Sequence, residues 1–128
     1  MSTVRILIVD DNESVRRALR RVLMAEDWEV CWEAPDGLDG IQAARRLNPD
    51  LVVMDLFMPG MTGIDAAREL RKEFPALPII LMTPPDPDIV TAARQAGIRG
   101  TVSKGSGAIV SAVRAILRSE EFHEGCAV

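Results

Sequence analysis

The chain has 128 residues, 48% of them apolar and 27% charged, with a net charge of −4. That is long enough for one domain with a sizeable core, and its acidic balance argues against general nucleic-acid binding. The absence of a membrane-length apolar run or signal-peptide core, with two distant cysteines, Cys31 and Cys126, points to a reducing, cytoplasmic setting, and a lone His123 excludes a Ser-His-Asp triad or a His-based metal site.

In chain order, Val4–Val9 reads as a buried strand that runs into Asp10-Asp11-Asn12, whose oxygens can cap the next helix. That helix carries Val15, Ala18, Leu19, Val22 and Leu23 at helical spacing, with Arg16, Arg17, Arg20 and Arg21 mostly on its other side. The arginines read as a solvated face, with a docking patch for an acidic partner as the alternative. Trp28–Ala34 alternates, placing Trp28, Val30, Trp32 and Ala34 on one face and Glu29, Cys31 and Glu33 on the other, as an edge strand does. Asp36-Gly37 turns into a second helix with Leu38, Ile41, Ala44 and Leu47 inward, stopped by Asn48-Pro49.

Leu51–Asp55 is a short apolar run that ends on one carboxylate and meets the turn Pro59-Gly60. A third helix presents Ile64, Ala67, Leu70 and Phe74. Pro78–Met82 is a fourth strand ending on Thr83, and Asp86-Pro87 starts a helix that Gly97 ends. Gly100–Ser103 is a fifth strand with Lys104 at its end. A fifth helix turns Ile109, Val113, Ile116 and Leu117 inward, and residues 120–128 are expected to be a polar, mobile tail.

This alternation calls for an α/β fold, a parallel sheet covered by helices on both faces. For five strands the default is the flavodoxin-like doubly wound (βα)5 order 2-1-3-4-5. That order brings Asp10, Asp11, Asp55, Thr83 and Lys104 to one carboxyl edge, where such sheets bind their ligands. Two like charges about 4 Å apart repel by roughly 4 kcal/mol at an effective dielectric near 20, so three carboxylates need a proton or a cation. An oxygen-rich, open site suits Mg²⁺, and a lysine with a threonine hydroxyl suits phosphate. Each piece alone has a plainer meaning: an Asp-Asp pair before a helix is more often a cap, and Asp55 before a turn can be only a turn. The signal lies in five such residues ending strands at one edge.

Asp10-Asp11, Asp55-Leu-Phe-Met-Pro-Gly60, Thr83 and Lys104 at these spacings resemble the receiver domain of bacterial two-component response regulators, over roughly residues 4–119. The segments Asn48–Asp55 and Gly97–Lys104 are most similar to receivers joined to helix-turn-helix output domains. The resemblance implies a receiver domain over residues 1–119 and a phosphoacceptor at Asp55 charged by a sensor histidine kinase or histidine phosphotransfer protein. It also implies Mg²⁺ held by Asp10, Asp11, Asp55 and the Phe57 backbone carbonyl, with Thr83 and Lys104 on the phosphoryl oxygens. Output would leave through the face of helix four, strand five and helix five, to an output partner, a DNA-binding output domain or a second copy. The resemblance implies a regulatory phosphoacceptor and not an enzyme, one that at most assists its own phosphorylation and dephosphorylation.

Three positions depart from the family pattern. Pro84 stands where a backbone N–H normally donates to the phosphoryl group, which removes a charge-assisted bond worth about 1.5–3 kcal/mol. Thr101 stands where an aromatic switch residue is usual, and the chain has no tyrosine. Gly105 replaces the proline after the lysine, so a trans bond is expected. Phe57 and Pro85 are apolar where the family flanks the path of hydrolytic water, which predicts slow dephosphorylation. A second reading is therefore a degenerate receiver, a binding module that no longer switches by phosphate. An aspartate-nucleophile phosphatase would need an acid at Phe57, and an electron carrier of the flavodoxin type would need a phosphate-binding first loop that is absent.

Overall fold

The computed structural model describes residues 3–105, 107–118 and 122–124. Strands and helices alternate along the chain: β1 Arg5–Val9, α1 Glu13–Met24, β2 Glu29–Ala34, α2 Gly37–Leu47, β3 Leu51–Asp55, α3 Gly63–Glu73, β4 Ile79–Met82, α4 Pro87–Gln95, β5 Gly100–Val102 and α5 Ile109–Arg118, followed by β6 His123–Glu124. All strands pair in parallel, in the order β2-β1-β3-β4-β5-β6. This is the flavodoxin-like 2-1-3-4-5 sheet with one short strand added.

The central strands are apolar throughout because both faces are covered. Leu7, Val9, Val52 and Met54 pack toward α2 and α3, while Ile6, Ile8, Leu51 and Val53 pack toward α1 and α5. Period-two alternation thus feeds two cores from the same strands. Each helix start is satisfied locally. Asn12 caps α1, Asp36 caps α2, Thr62 and Asp65 form a capping box on α3, and Asp86 with Pro87 opens α4. Gly97, at φ +82°, follows α4 in the left-handed conformation expected of it.

Four expectations are corrected. The register of β2 against β1 slips at Cys31, so that Ile6 pairs with Val30 but Leu7 with Trp32. A one-residue slip exchanges faces. Trp28 and Val30 pack on the α1/α5 side, Cys31 and Ala34 on the other, and Trp32 is left 44% exposed. Arg46 covers the Trp32 ring at 5.2 Å. In α2 the buried stripe runs through Gly37, Gly40, Ile41, Ala43 and Ala44, and Leu38 is 59% exposed. Gly40 allows this phase, because a Cβ there would lie 2.8 Å from Val9 Cγ2. In α1 only Leu23 is fully buried, and Val22 faces out, as does Leu117 of α5. An open apolar groove of about 320 Å³ lies between α1 and the start of α5, with Val15, Leu19, Val22 and Ile109 among its walls.

The tail is the fourth correction. Residues 122–124 are not loose: His123 pairs with Gly100 and Glu124 with Thr101, and the Phe122 ring lies 4.2 Å beneath the Arg94 guanidinium of α4. The physical reason is the edge of β5, whose backbone groups seek partners. Residues 120–121 and 125–128 fall outside the described residues.

Candidate functional site

β1 and β3 are neighbours, and both end at the same edge of the sheet. β1 therefore delivers Asp10 and Asp11 beside Asp55 of β3. Asp10 is fully buried, Asp55 is 4% exposed and Asp11 faces solvent. One carboxylate oxygen from each lies within 4.8 Å of the others. Lys104, two residues past β5, reaches across to this trio. Its Nζ donates to Asp55 Oδ2 at 3.1 Å and forms an ion pair with Asp10 Oδ2, also at 3.1 Å.

Asp10 is pinned by its backbone and its side chain. Its N–H donates to the Ala34 carbonyl at 3.0 Å, and its Oδ1 accepts the Asn12 N–H at 2.8 Å. Its own carbonyl accepts from Arg16 Nη1 at 2.7 Å. Asn12, not either aspartate, caps α1, accepting the Val15 N–H at 3.1 Å. The plainer reading of the Asp-Asp pair as a helix cap is thereby removed.

Thr83, at the end of β4, is buried and ties back to β5 through its N–H and the Val102 carbonyl at 2.9 Å. Its hydroxyl donates to the Pro84 carbonyl at 3.2 Å. Asp11, Asp55, Phe57, Thr83, Pro84 and Lys104 all line one cleft of about 460 Å³. Phe57 is 63% exposed and sits at its mouth. All the side chains expected at the site thus converge; Phe57 lines the cleft.

The electrostatics follow from burial and company. Burial pushes the Asp55 carboxyl above its ordinary range; the charges of Asp10 and Asp11 push the same way, and Lys104 only partly offsets them. Burial disfavours the Lys104 ammonium, but Asp55 and Asp10 outweigh it and hold the group protonated. One lysine facing three carboxylates leaves the cluster short of positive charge. The donor set is oxygen only, and the buried Asp10 Oδ2 faces one partner among the described residues, the Lys104 ammonium it shares with Asp55. These residues fit a small hard cation.

Two contributors were not read from the sequence as part of the site. Gly63 is the first residue of α3, and a Cβ there would fall 2.3 Å from the Asp55 carbonyl oxygen, so only glycine lets α3 start against the end of β3. Arg16, read with its neighbours as solvent-facing, reaches back to Asp10. Of the departures, Thr101 is buried in β5 opposite Leu81, and the Lys104–Gly105 peptide is trans.

Residues 6–120 match the family described as the response regulator receiver domain. The chain is 34% identical over 123 residues to the response regulator GacA of Pseudomonas viridiflava, covering 93% of this chain and 58% of GacA. It is 40% identical over 121 residues to the transcriptional regulatory protein LiaR of Bacillus subtilis, covering 91% of this chain and 57% of LiaR. A crystal structure of a LuxR-family two-component response regulator from Aurantimonas sp. SI85-9A1 superposes with a TM-score of 0.90 at 36% identity, over 95% of this chain and 89% of that one. The chain belongs to the response regulator receiver family of two-component signalling. It spans little more than half the length of GacA and LiaR.

Proposed function

We propose that this chain takes a phosphoryl group onto Asp55 from the phosphohistidine of a sensor kinase or histidine phosphotransfer protein. The histidine N–P bond breaks as an Asp55 carboxylate oxygen forms the new bond to phosphorus. Mg²⁺, when bound by Asp10, Asp11, Asp55 and the Phe57 carbonyl, supplies positive charge against the incoming phosphoryl oxygens. Lys104 supplies a second charge, and Thr83 can turn its hydroxyl from the Pro84 carbonyl to a phosphoryl oxygen. The observation that carries this reading is the Lys104 ammonium poised 3.1 Å from both Asp55 and Asp10 in a trio of carboxylates.

Residues 1–119 form the receiver unit in this reading. It is a regulatory phosphoacceptor rather than an enzyme with an external substrate. A DNA-binding output partner fits the relatives, whose remaining length this chain does not cover.

Intact mass after incubation with acetyl phosphate tests the proposal. A Mg²⁺-dependent phosphoryl adduct, absent from Asp55→Asn, is expected. No adduct on folded protein would leave the phosphorylation-independent binding module as the better reading.

A further inference from the structure

The four arginines of α1 are not equivalent. Arg17 is 65% exposed and pairs with Glu13 one turn back, and Arg20 is 56% exposed. Arg16 keeps only 16% of its side-chain surface. Its Nη1 meets the Asp10 carbonyl at 2.7 Å, while its Nε is buried without a hydrogen bond, facing Glu33 Oε1 at 3.7 Å. Glu33, in turn, is held at its other oxygen by Arg20 at 3.1 Å. A charged side chain is thus drawn inward beneath the acidic edge and anchored from β2.

The atom that Arg16 holds matters. The Asp10 carbonyl and the Asp11 N–H belong to one planar peptide unit. Fixing that carbonyl fixes the plane from which Asp11 departs. Asp11 itself is exposed, and among the described residues its carboxylate has no hydrogen-bond or ion-pair partner. No side-chain partner holds it at the cleft, so where the backbone delivers it decides its place there. The other end of the same turn is held by Asn12, whose N–H is taken by Asp10 Oδ1.

We infer that Arg16, braced by Glu33, is a positioning residue that holds the Asp10–Asp11 peptide so that both carboxylates face one cation. The inference rests on the cation reading of the site given above. Arg16 touches neither the cation nor the phosphoryl group. Its guanidinium acts through one carbonyl and adds a shielded positive charge one residue behind the carboxylates. Because it is largely removed from water, salt screens it little. Outer-shell hydrogen bonds of this kind commonly govern metal affinity by about ten- to a hundredfold.

The test is calorimetric titration of the full chain with Mg²⁺ for wild type, Arg16→Met and Arg16→Lys, with thermal unfolding of each in EDTA. Arg16→Met keeps the length and loses the donor, and it should weaken Mg²⁺ binding about tenfold. Arg16→Lys can still donate to the carbonyl and should recover most of that loss. A merely structural role would lower the unfolding midpoint without separating the two variants in Mg²⁺ affinity, and that result overturns the inference. So does wild-type affinity in folded Arg16→Met. If Arg16→Met does not fold, Glu33→Gln, which removes the brace, should still weaken Mg²⁺ binding, and no change there overturns the inference. A wild-type chain that takes up no Mg²⁺ overturns the cation reading instead. Hydrogen exchange at the Asn12 amide then decides the role of Arg16: faster exchange in the variant supports its hold on the turn, and unchanged exchange ends it.

Discussion

At Asp55 a carboxylate is kept where its charged form is disfavoured. Burial raises its pKa above the ordinary 3.8, with Asp10 and Asp11 adding to the shift. The folded state therefore binds this proton more tightly than the unfolded chain does. Stability contributed by the protonated form is present below the ordinary value and is lost as pH rises through the raised one. Above the raised value the full penalty remains. Asp55→Asn should thus raise the metal-free unfolding midpoint at pH 7 by about 3–5 °C, the equivalent of about 1 kcal/mol in a chain of this size. It should also flatten the fall of stability with pH above pH 4. A midpoint that drops instead would mean that the Lys104 ion pair outweighs the burial. The aspartates, Thr83 and Lys104 were legible in the sequence because each ends an apolar run, and strand ends meet at one edge. Arg16 was not legible. Four arginines on one helix look alike until the turn before them is folded, and only then does a carbonyl select one.

Between β4 and α4 the chain runs Thr83-Pro84-Pro85-Asp86-Pro87, each proline fixing φ and restricting the residue before it. This loop borders the cleft at one end and caps α4 at the other. Pro84 offers no N–H to a bound phosphoryl group. Pro84→Ala should therefore tighten binding of beryllofluoride, a phosphoryl mimic, by about tenfold or more, the value of one charge-assisted hydrogen bond. Unchanged affinity would show that the backbone at this position points away from the ligand. Helix and strand identities were readable from periodicity, but their rotation was not. Leu38, Val22 and Leu117 fit an inward stripe by spacing, yet glycine and alanine on the adjacent stripe let α2 approach β1 more closely. The slip in β2 was equally hidden, since alternation is a rule for unbroken pairing and nothing in Glu29–Ala34 marks the break.

Across the whole molecule the sheet order followed from alternation and handedness, and the Aurantimonas regulator structure superposes on it. What periodicity could not supply was β6, because two residues carry no period. Its pairing leaves the two margins of the sheet unlike. On one side β2 is open, guarded by its slip and by the glutamates Glu29 and Glu33. On the other, β5 is covered by β6, and Phe122, next to it, stacks on Arg94 of α4. A fragment cut after Arg118 would keep every residue of the cleft and lose this selvedge. Sedimentation should find it self-associating at concentrations where the 128-residue chain is monodisperse, and amides of α4 should exchange faster. Identical sedimentation of the two would mean that β5 is too short to recruit a neighbour. Where the coding sequence is cut for expression thus decides whether the sample stays clear on the bench, even though the cut lies beyond the last residue of the site.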